Sequence, residues 1–345
     1  TMKTLFFTAA AAALLCSCDK DNFQTVEPEG PVTENTSAVV LSFGEAKTQD
    51  ATKTFFDPTA TAEAWEKSLT SVSALVFNAD GGLLVQRDFT PSELSAKKAT
   101  FAIPNSLAGN TCEFYVVANR PVTGIDTKTQ LLNLLENSPA DYNGTFAQVS
   151  ASARRSGGFV MTGSATKAIA AQGQRTDVSV TLKRTVAKIA VQTSATAEFS
   201  QRYQGKIRIN TAVLSKAASR SNLIAQQAPN TGPMTFTHTQ AASETSGKFD
   251  NLFYGFENGN LTSGSRVLLT LKGTYDRDGN FATESDQAEV TYEIELSGGG
   301  SGQILRNGYY RIQVGLDGLT GSDASVSVSV ADWETPLTQS VNLGA

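Results

Sequence analysis

Apolar and polar residues alternate in short segments along most of the chain. Alternation with a period of two predicts β-strands that bury one face, and the clearest segments are VVLSF, ALVF, FYVVA, VSVTL, VLLTL, YYRIQV and SVSVSV. Hairpin-length turns such as NADGG and DRDGN lie between some of them, which predicts antiparallel pairing. Helical spacing is confined to TKTQLLNLLEN and, more weakly, PTATAEAWEKSLT. The predicted fold is therefore all-β, with two consecutive antiparallel β-sandwiches and few short helices.

The end of the chain, SVSVSVADWETPLTQSVNLGA, contains one alternating segment more than the last sandwich requires. Its first part alternates serine with valine and ends at ADW, where Trp333 is predicted to plug the core. Residues 334–345 follow, and in them Leu337, Val341 and Leu343 again lie at even spacing. No further chain follows to pair with this last strand, so the alternation alone leaves its partner strand open.

The first residues have the pattern of a bacterial lipoprotein signal. Residues 1–17 contain Lys3, an apolar core and small residues before Cys18. Leucine at −3 and a small residue at −1 identify Cys18 as the lipidated residue, and an ordinary signal peptide with incidental cysteines is the alternative. Residues 18–37 are acidic and contain proline, which predicts an unfolded linker. A multiply acylated cysteine would anchor the chain in a bilayer.

Charge argues against a nucleic-acid-binding protein, and cysteine usage argues against a disulfide-stabilised one. The net charge is −5 and the basic residues are scattered, which argues against a nucleic-acid partner. Of the three cysteines, Cys112 alternates with apolar residues and is predicted to be a buried small side chain. Once Cys18 is lipidated and the signal is removed, no internal disulfide can form, so stability must come from the cores.

Catalytic motifs are not found in the sequence. The single histidine, His238, lies in a segment predicted to be a polar loop (219–248), and one histidine cannot form the usual three-ligand zinc site. GGGSGQ lacks the Lys-Ser/Thr of a phosphate-binding loop. A glycosidase with two unmarked carboxylates stays open as an alternative, because such pairs are spatial. We predict a protein that is not an enzyme and has no cofactor or metal.

One acidic turn has part of the residue pattern of a calcium-binding loop. Asp276, Asp278 and Asn280 occupy the first, third and fifth positions of such a loop. Phe281 stands where the loop needs glycine, and Gln287 stands where it needs glutamate. A tight hairpin turn accounts for the same residues, and calcium binding is left open.

Several segments, in order, resemble the fimbrillins of Bacteroidales, the subunits of type V pili. They are the lipobox ending at Cys18, then VVLSF, ALVFNADGGLL, FYVVANRP, FVMTG before VSVTLKRTVAKIAVQ, and LRNGYYRIQVGL before VSVSVADW. The resemblance implies two transthyretin-like sandwiches in a surface lipoprotein that a trypsin-like protease cuts after the first strand. The groove so opened is filled by the C-terminal strand of another subunit.

The resemblance implies roles for particular residues. The displaced strand would present Val39, Leu41 and Phe43, and the donor strand would present Leu337, Val341 and Leu343. The chain has no arginine before Arg87, so the expected cleavage site is Lys47 or Lys53.

The expected organisation and partners follow from these roles. The parts are the signal peptide (1–17), the lipidated linker (18–37), an N-terminal sandwich (38–184) whose strand 38–44 is removed, a C-terminal sandwich (185–333) and the donor tail (334–345). Expected partners are other copies, related pilus subunits, the outer membrane, the maturation protease and surface ligands of host or bacterial cells. We expect a precursor in the outer membrane, then an extracellular fimbrium supporting adhesion, biofilm formation and virulence. The alternatives are an uncleaved anchor subunit and a non-polymerising lipoprotein that binds glycans or host proteins.

Overall fold

The computed structural model describes residues 36–44, 56, 62–297, 301–320, 324–333 and 335–343. At residues 36, 44, 327–332 and 335–343 the description covers the backbone alone. Strands dominate these residues and the helices are short, so the predicted all-β class is confirmed. Among the described residues, no helix is long and apolar enough to cross a membrane.

In the described part of the chain, nine strands lie before residue 185 and ten after it. The first group is β1 (Thr36–Gly44), β2 (Val72–Phe77), β3 (Leu83–Asp88), β4 (Lys98–Pro104), β5 (Thr111–Ala118), β6 (Leu135–Glu136), β7 (Met161–Ala168), β8 (Arg175–Thr181) and β9 (Lys183–Arg184). The second group is β10 (Val186–Ala195), β11 (Lys206–Ala218), β12 (Ser221–Asn222), β13 (Pro233–Thr239), β14 (Phe249–Phe256), β15 (Leu268–Asp276), β16 (Gln287–Glu295), β17 (Gly308–Leu316), β18 (Ala324–Asp332) and β19 (Thr335–Leu343).

These strands form four larger sheets in two facing pairs, and a small sheet β12-β6. In the first pair, the sheet β4-β1-β8 faces the sheet β3-β2-β5-β7-β9. In the second pair, the sheet β13-β11-β15-β16 faces the sheet β14-β10-β17-β18-β19. Apolar side chains fill the space between the sheets of each pair, which is the sandwich-like arrangement predicted from the alternation.

Most strand pairs are antiparallel, but two are parallel. β1 runs parallel to β8, and β10 runs parallel to β17. Each pair joins strands far apart in the chain, connected through the opposite sheet rather than through a single crossover helix. Hairpin turns therefore predicted the direction of neighbouring strands but not that of these distant pairs.

The predicted turns are formed by glycine in the left-handed region. In the β2–β3 hairpin Gly81 has φ 81° and its N–H donates to Asn78 O at 3.0 Å. In the β15–β16 hairpin Gly279 has φ 75°. Only glycine adopts such backbone angles without steric cost, so both hairpin predictions are confirmed.

The helices are short, and the sequence predicted only part of them. Those described are α1 (Pro91–Ala96), α2 (Lys128–Leu132), α3 (Phe146–Val149), α4 (Ala197–Arg202) and the 3-10 helices η1 (Ala64–Glu66), η2 (Asn105–Leu107) and η3 (Pro139–Tyr142). The segments TKTQLLNLLEN and PTATAEAWEKSLT contain α2 and η1. The start of α1 was missed although Thr90 caps it, with Pro91 at the first position and Glu93 completing a capping box.

The hydrophobic core between the first two sheets extends past the predicted boundary at residue 184. It includes Val186, Tyr254 and Trp333 beside the side chains of β1, β2 and β5. In addition, the side chain of Asn143 bonds both main-chain groups of Tyr254, at 2.8 and 2.9 Å. The two halves are thus joined by a shared core, and the division into domains at residues 184 and 185 stays a prediction.

Candidate functional site

The first strand, β1, is the middle strand of its sheet. It pairs with β4 antiparallel from Thr36↔Pro104 to Ser42↔Lys98. On its other side it pairs with β8 in parallel, from Ala38↔Arg175 to Gly44↔Thr181. Removing β1 would therefore leave two unpaired strand edges with a slot one strand wide between them.

One face of β1 fills the core between the two N-terminal sheets. Val39 and Leu41 are fully buried, Phe43 is 3% exposed, and the Phe43 ring lies 5.2 Å from that of Phe89. Burial of three such side chains contributes about 5 to 9 kcal/mol before ordering costs. The slot left by β1 would be strongly apolar on this side.

Alternation did not predict everything about β1. Val40, on the other face, is only 5% exposed, so the middle of that face is covered as well, whereas Ala38 and Ser42 beside it are partly exposed. The doubled valine at 39–40 was the available signal. Near the start of the strand the Ser37 hydroxyl donates to Asn105 Oδ1 at 2.6 Å, so this end of the slot is polar.

The residues expected to be processed lie outside the described part of the chain. This holds for the lipidated Cys18 and for both cleavage candidates, Lys47 and Lys53. The described chain resumes at Phe56, whose ring centroid lies 5.3 Å from the Arg311 guanidinium carbon, and again at Ala62, which is fully buried. A cut between residues 45 and 55 would thus fall between β1 and two described residues, Phe56 and Ala62, that pack against the rest of the protein.

The C-terminal segment forms the strand β19, but the expectation that no strand of its own chain pairs with it is wrong. β19 pairs antiparallel with β18, in the register Val326↔Leu343 and Val328↔Val341. It is the terminal strand of its sheet, with β18 as its one neighbour in the described sheets. Pro336 lies in β19, and an edge strand tolerates proline because only one side of the ladder needs donors. Leu337, Val341 and Leu343 all belong to β19, and their side chains are outside the description.

Trp333, just before the tail, is 1% exposed, as predicted for a core plug. Its indole stacks on the Tyr254 ring at 5.8 Å, and the Arg184 guanidinium carbon lies 4.2 Å from its centroid. Beside it, Lys188 Nζ lies 2.7 Å from Glu66 Oε1, and both side chains are almost completely buried. The base of the tail is therefore fixed in the protein interior.

Cys112 and His238 are both buried side chains. Cys112 is fully buried, as predicted, and burial raises the pKa of its thiol. His238 lies in strand β13, not in a loop, and the prediction of a loop from 219 to 248 is wrong because β12 and β13 lie there. The His238 ring stacks on Phe253 at 4.2 Å, and its Nδ1 lies 2.9 Å from Asn251 Oδ1. Burial lowers the pKa of His238, although the contact with Asn251 opposes this.

The acidic turn is an internally hydrogen-bonded hairpin. Carboxylate oxygens of Asp276, Asp278 and Asp286 lie within 4.8 Å of one another. Asp276 accepts from Asn280 N at 2.9 Å and from Gln287 Nε2 at 3.0 Å, and Asp278 also accepts from Asn280 N. These hydrogen bonds lie within the turn, so the need to form a tight hairpin explains why acidic residues stand at these positions.

Comparison with known proteins agrees with this architecture. Residues 39–196 match the sequence profile described as major fimbrial subunit protein (FimA). The fold is similar to a fimbrilin (FimA) from Porphyromonas gingivalis, with a TM-score of 0.56 and 15% identity over 89% of this chain and 99% of that one. It is also similar to the C-terminally truncated tip fimbrial protein Mfa3 of the same species, with a TM-score of 0.54 and 16% identity over 86% and 100%.

A search of the curated proteins gave no match. The profile match begins within β1 and ends just beyond β10, while the structural similarity extends over most of the chain. The resemblance to fimbrillins is confirmed: residues 39–196 match the model of the major fimbrial subunit family, and the described chain has an all-β fold similar to that of a fimbrilin.

Proposed function

We propose that this protein is a structural subunit of a type V pilus that polymerises by donor-strand exchange after β1 has been removed. The observation that carries the proposal is the position of β1. It is a middle strand that closes the N-terminal core, yet it stands at the start of the described chain and is followed by a segment with two lysines. A strand in this position can leave as a peptide without unthreading any other strand.

The slot would have apolar walls and two hydrogen-bonding edges. β4 contributes Ala99 and Ile103, and β8 contributes Val178 and Val180, all of them buried in the same core as Leu41. Exposure of such a surface is unfavourable in water, and its unpaired main-chain groups form a template for strand addition. An extended segment that alternates apolar residues would be bound in this slot.

The tail β19 has the same length as β1, and its residues 338–343 fit the pattern of positions 36–41 of the slot. Both β1 and β19 contain nine residues. If the tail runs in the direction of β1, Val341 aligns with Val39 and Leu343 with Leu41. Gln339 then falls at Ser37, at the polar end of the slot beside Asn105. The alternative shift by two residues would place Gln339 at Val39 and bury its amide in the core, which is unfavourable.

Pairing favours transfer of the tail. In its own chain β19 has one neighbouring strand, β18, whereas the slot offers both β4 and β8. A strand that moves from a sheet edge to a sheet centre gains a second hydrogen-bonded ladder, with a net contribution of about 0.5 to 1.5 kcal/mol per bond. The gain favours the polymer over the separate cut subunits.

Export and maturation complete the proposal. The precursor is lipidated at Cys18, reaches the outer membrane, and is cut at Lys47 or Lys53 by a trypsin-like protease before it joins an extracellular fimbrium. The assembled fimbrium supports adhesion and biofilm formation and contributes to virulence. The family match to a major fimbrial subunit supports this assignment.

Limited trypsin digestion tests the maturation and polymerisation steps. The purified full chain should be cut between residues 45 and 55 and should then form SDS-resistant ladders. A chain with both Lys47→Ala and Lys53→Ala should stay intact in this region and monomeric. If the cut protein stays monomeric at high concentration, donor-strand exchange is wrong and an uncleaved anchor or glycan-binding lipoprotein becomes the better assignment.

The tail is tested with a full-length variant in which Leu337, Val341 and Leu343 are all replaced by serine. It should be cut like the wild type but form no ladders. The lipid is tested by palmitate labelling in the native host. Cys18→Ser should abolish incorporation, whereas Cys16→Ser should not, and label retained in Cys18→Ser would contradict the lipoprotein assignment.

A further inference from the structure

Asn307, directly before β17, holds both main-chain polar groups of Trp333. The Trp333 N–H donates to Asn307 O at 2.7 Å, and Asn307 Nδ2 donates to Trp333 O at 3.0 Å. Asn307 is itself bonded to two strands: its N–H donates to Val186 O at the start of β10 at 3.0 Å, and its Oδ1 accepts from Arg184 N in β9 at 3.1 Å. The residue that precedes the tail is thereby bonded to two strands of the body.

The identity of residue 307 follows from two demands. Its φ is 56°, in the left-handed region that glycine and asparagine tolerate best, and it is 4% exposed. Glycine would meet the backbone demand but lacks the amide that bonds Trp333 and Arg184. Asparagine meets both demands, whereas aspartate would lose the donor to Trp333 O.

The indole of Trp333 is held as firmly as its main chain. The rings of Tyr254 and Phe159 lie 5.8 and 5.6 Å from it, and the Arg184 guanidinium covers it at 4.2 Å. Trp333, directly after β18, is thus held in two ways, because its main chain is hydrogen-bonded and its side chain is packed. The twelve residues that follow it reach about 40 Å when extended.

We propose that Asn307 and Trp333 form a clamp that separates the fixed body from the exchanging tail, which makes Asn307 a positioning residue for assembly. This inference rests on the proposed function. The clamp keeps Trp333 and the end of β18 ordered while β19 leaves β18, so only the tail itself has to be ordered in the neighbouring slot. Each further backbone residue that must be ordered would weaken capture about tenfold.

The chain contains a matched control. Asn119 is also 4% exposed, has φ 63°, and bonds main-chain groups through its side chain: it accepts from Thr70 N at 2.8 Å and donates to Ser68 O and Phe159 O at 2.7 Å. No bond from Asn119 to Trp333 is present among the described residues. Asn119→Gly therefore removes the same kind of buried amide as Asn307→Gly but leaves the base of the tail bonded.

The experiment separates the donor role from the acceptor role. The donor is the uncut full chain with Lys47→Ala and Lys53→Ala, whose slot is filled by β1. The acceptor is the trypsin-cut full chain with the three tail positions changed to serine, which has an open slot and no functional tail. After inhibition of trypsin the two are mixed, and the yield and rate of the one-to-one complex are measured.

Asn307→Gly in the donor should lower capture about tenfold, whereas the same change in the acceptor, or Asn119→Gly in the donor, should leave it near the wild-type level. If Asn307→Gly does not fold, Asn307→Asp is compared in donor and acceptor in its place. It keeps the oxygen that accepts from Arg184 N but loses the donor to Trp333 O. Wild-type capture by the Asn307 variant, or an equal loss in donor and acceptor, overturns the clamp but not strand exchange. If the donor that keeps Asn307 is not captured at all, the proposed function is wrong, and the clamp with it.

Discussion

Leu41→Ala tests whether β1 is part of the precursor and absent from the mature subunit. Leu41 is fully buried in the core between the N-terminal sheets. Truncation removes three carbon atoms and leaves a cavity, and such Leu→Ala changes cost about 2 to 5 kcal/mol. Because β1 is to be removed on maturation, this cost should appear in the free energy of unfolding of the uncut chain and be absent from the polymer.

Leu252→Ala provides the matched control. Leu252 is 1% exposed, lies in β14, and belongs to the same core as Leu41. Its truncation should cost a similar amount in both forms, since β14 is kept on maturation. Urea unfolding, followed by tryptophan fluorescence, is measured for the uncut chains and for the cut chains assembled into polymer.

A second readout of Leu41→Ala is the release of the cut strand. A loss of 2 to 5 kcal/mol corresponds to about 30-fold to several-thousand-fold weaker retention of the β1 peptide, so ladders should form faster after trypsin treatment. If Leu41→Ala destabilises the polymer as much as it destabilises the uncut chain, β1 still occupies its slot in the polymer and its removal on maturation is refuted.

Three further predictions concern buried residues. Burial lowers the pKa of His238 below its ordinary 6.5, so the unfolded chain binds the proton more readily than the folded chain does. The contribution of His238 to folding stability should therefore be complete above about pH 6.5 and be lost as the pH falls below it. A histidine NMR titration with a midpoint at or above 6.5 would contradict this. The Trp333 indole N–H has no hydrogen-bond partner among the described residues, so packing is its main contribution. Trp333→Ala should lower the free energy of unfolding in urea by about 3 to 5 kcal/mol, and Trp333→Phe, which keeps an aromatic ring, should lower it by less. Equal losses for the two variants would contradict this. Lys188→Met leaves the Glu66 carboxylate buried without its cation and should cost about 3 to 5 kcal/mol, whereas a loss below about 1 kcal/mol would show that the pair contributes little.

Local patterns predicted the elements that depend on local chemistry. The β2–β3 hairpin needs glycine at Gly81, and the strand character of β1 follows from Val39, Leu41 and Phe43, whose burial is observed. Pairing between distant strands has no local signal. Alternation shows that β1 buries one face, but not that β8 lies beside it in parallel, with Ala38 paired to Arg175. Strand direction is decided here by the route of the chain through the opposite sheet.

The tail shows the limit of arguing from the number of strands. Its alternation predicted a strand, and β19 is one, but the sequence did not show that β18 has a free edge on which the tail folds back. The clamp at Asn307 was missed for a related reason. Its signal is asparagine followed by glycine at the start of a strand, which also fits an ordinary turn, and only the fold brings Trp333 against it.

The two strands that would compete for the slot explain how a single cut controls assembly. While β1 is attached to its own chain, the slot experiences an effective concentration of β1 in the millimolar range or above, which a tail from another molecule cannot match. Cleavage between residues 45 and 55 turns β1 into a separate peptide that is lost by dilution. The tail remains attached to its subunit, pairs with only β18 there, and would gain two neighbours in the slot. Exchange is therefore expected to be favourable only after the cut, without any change in the tail itself.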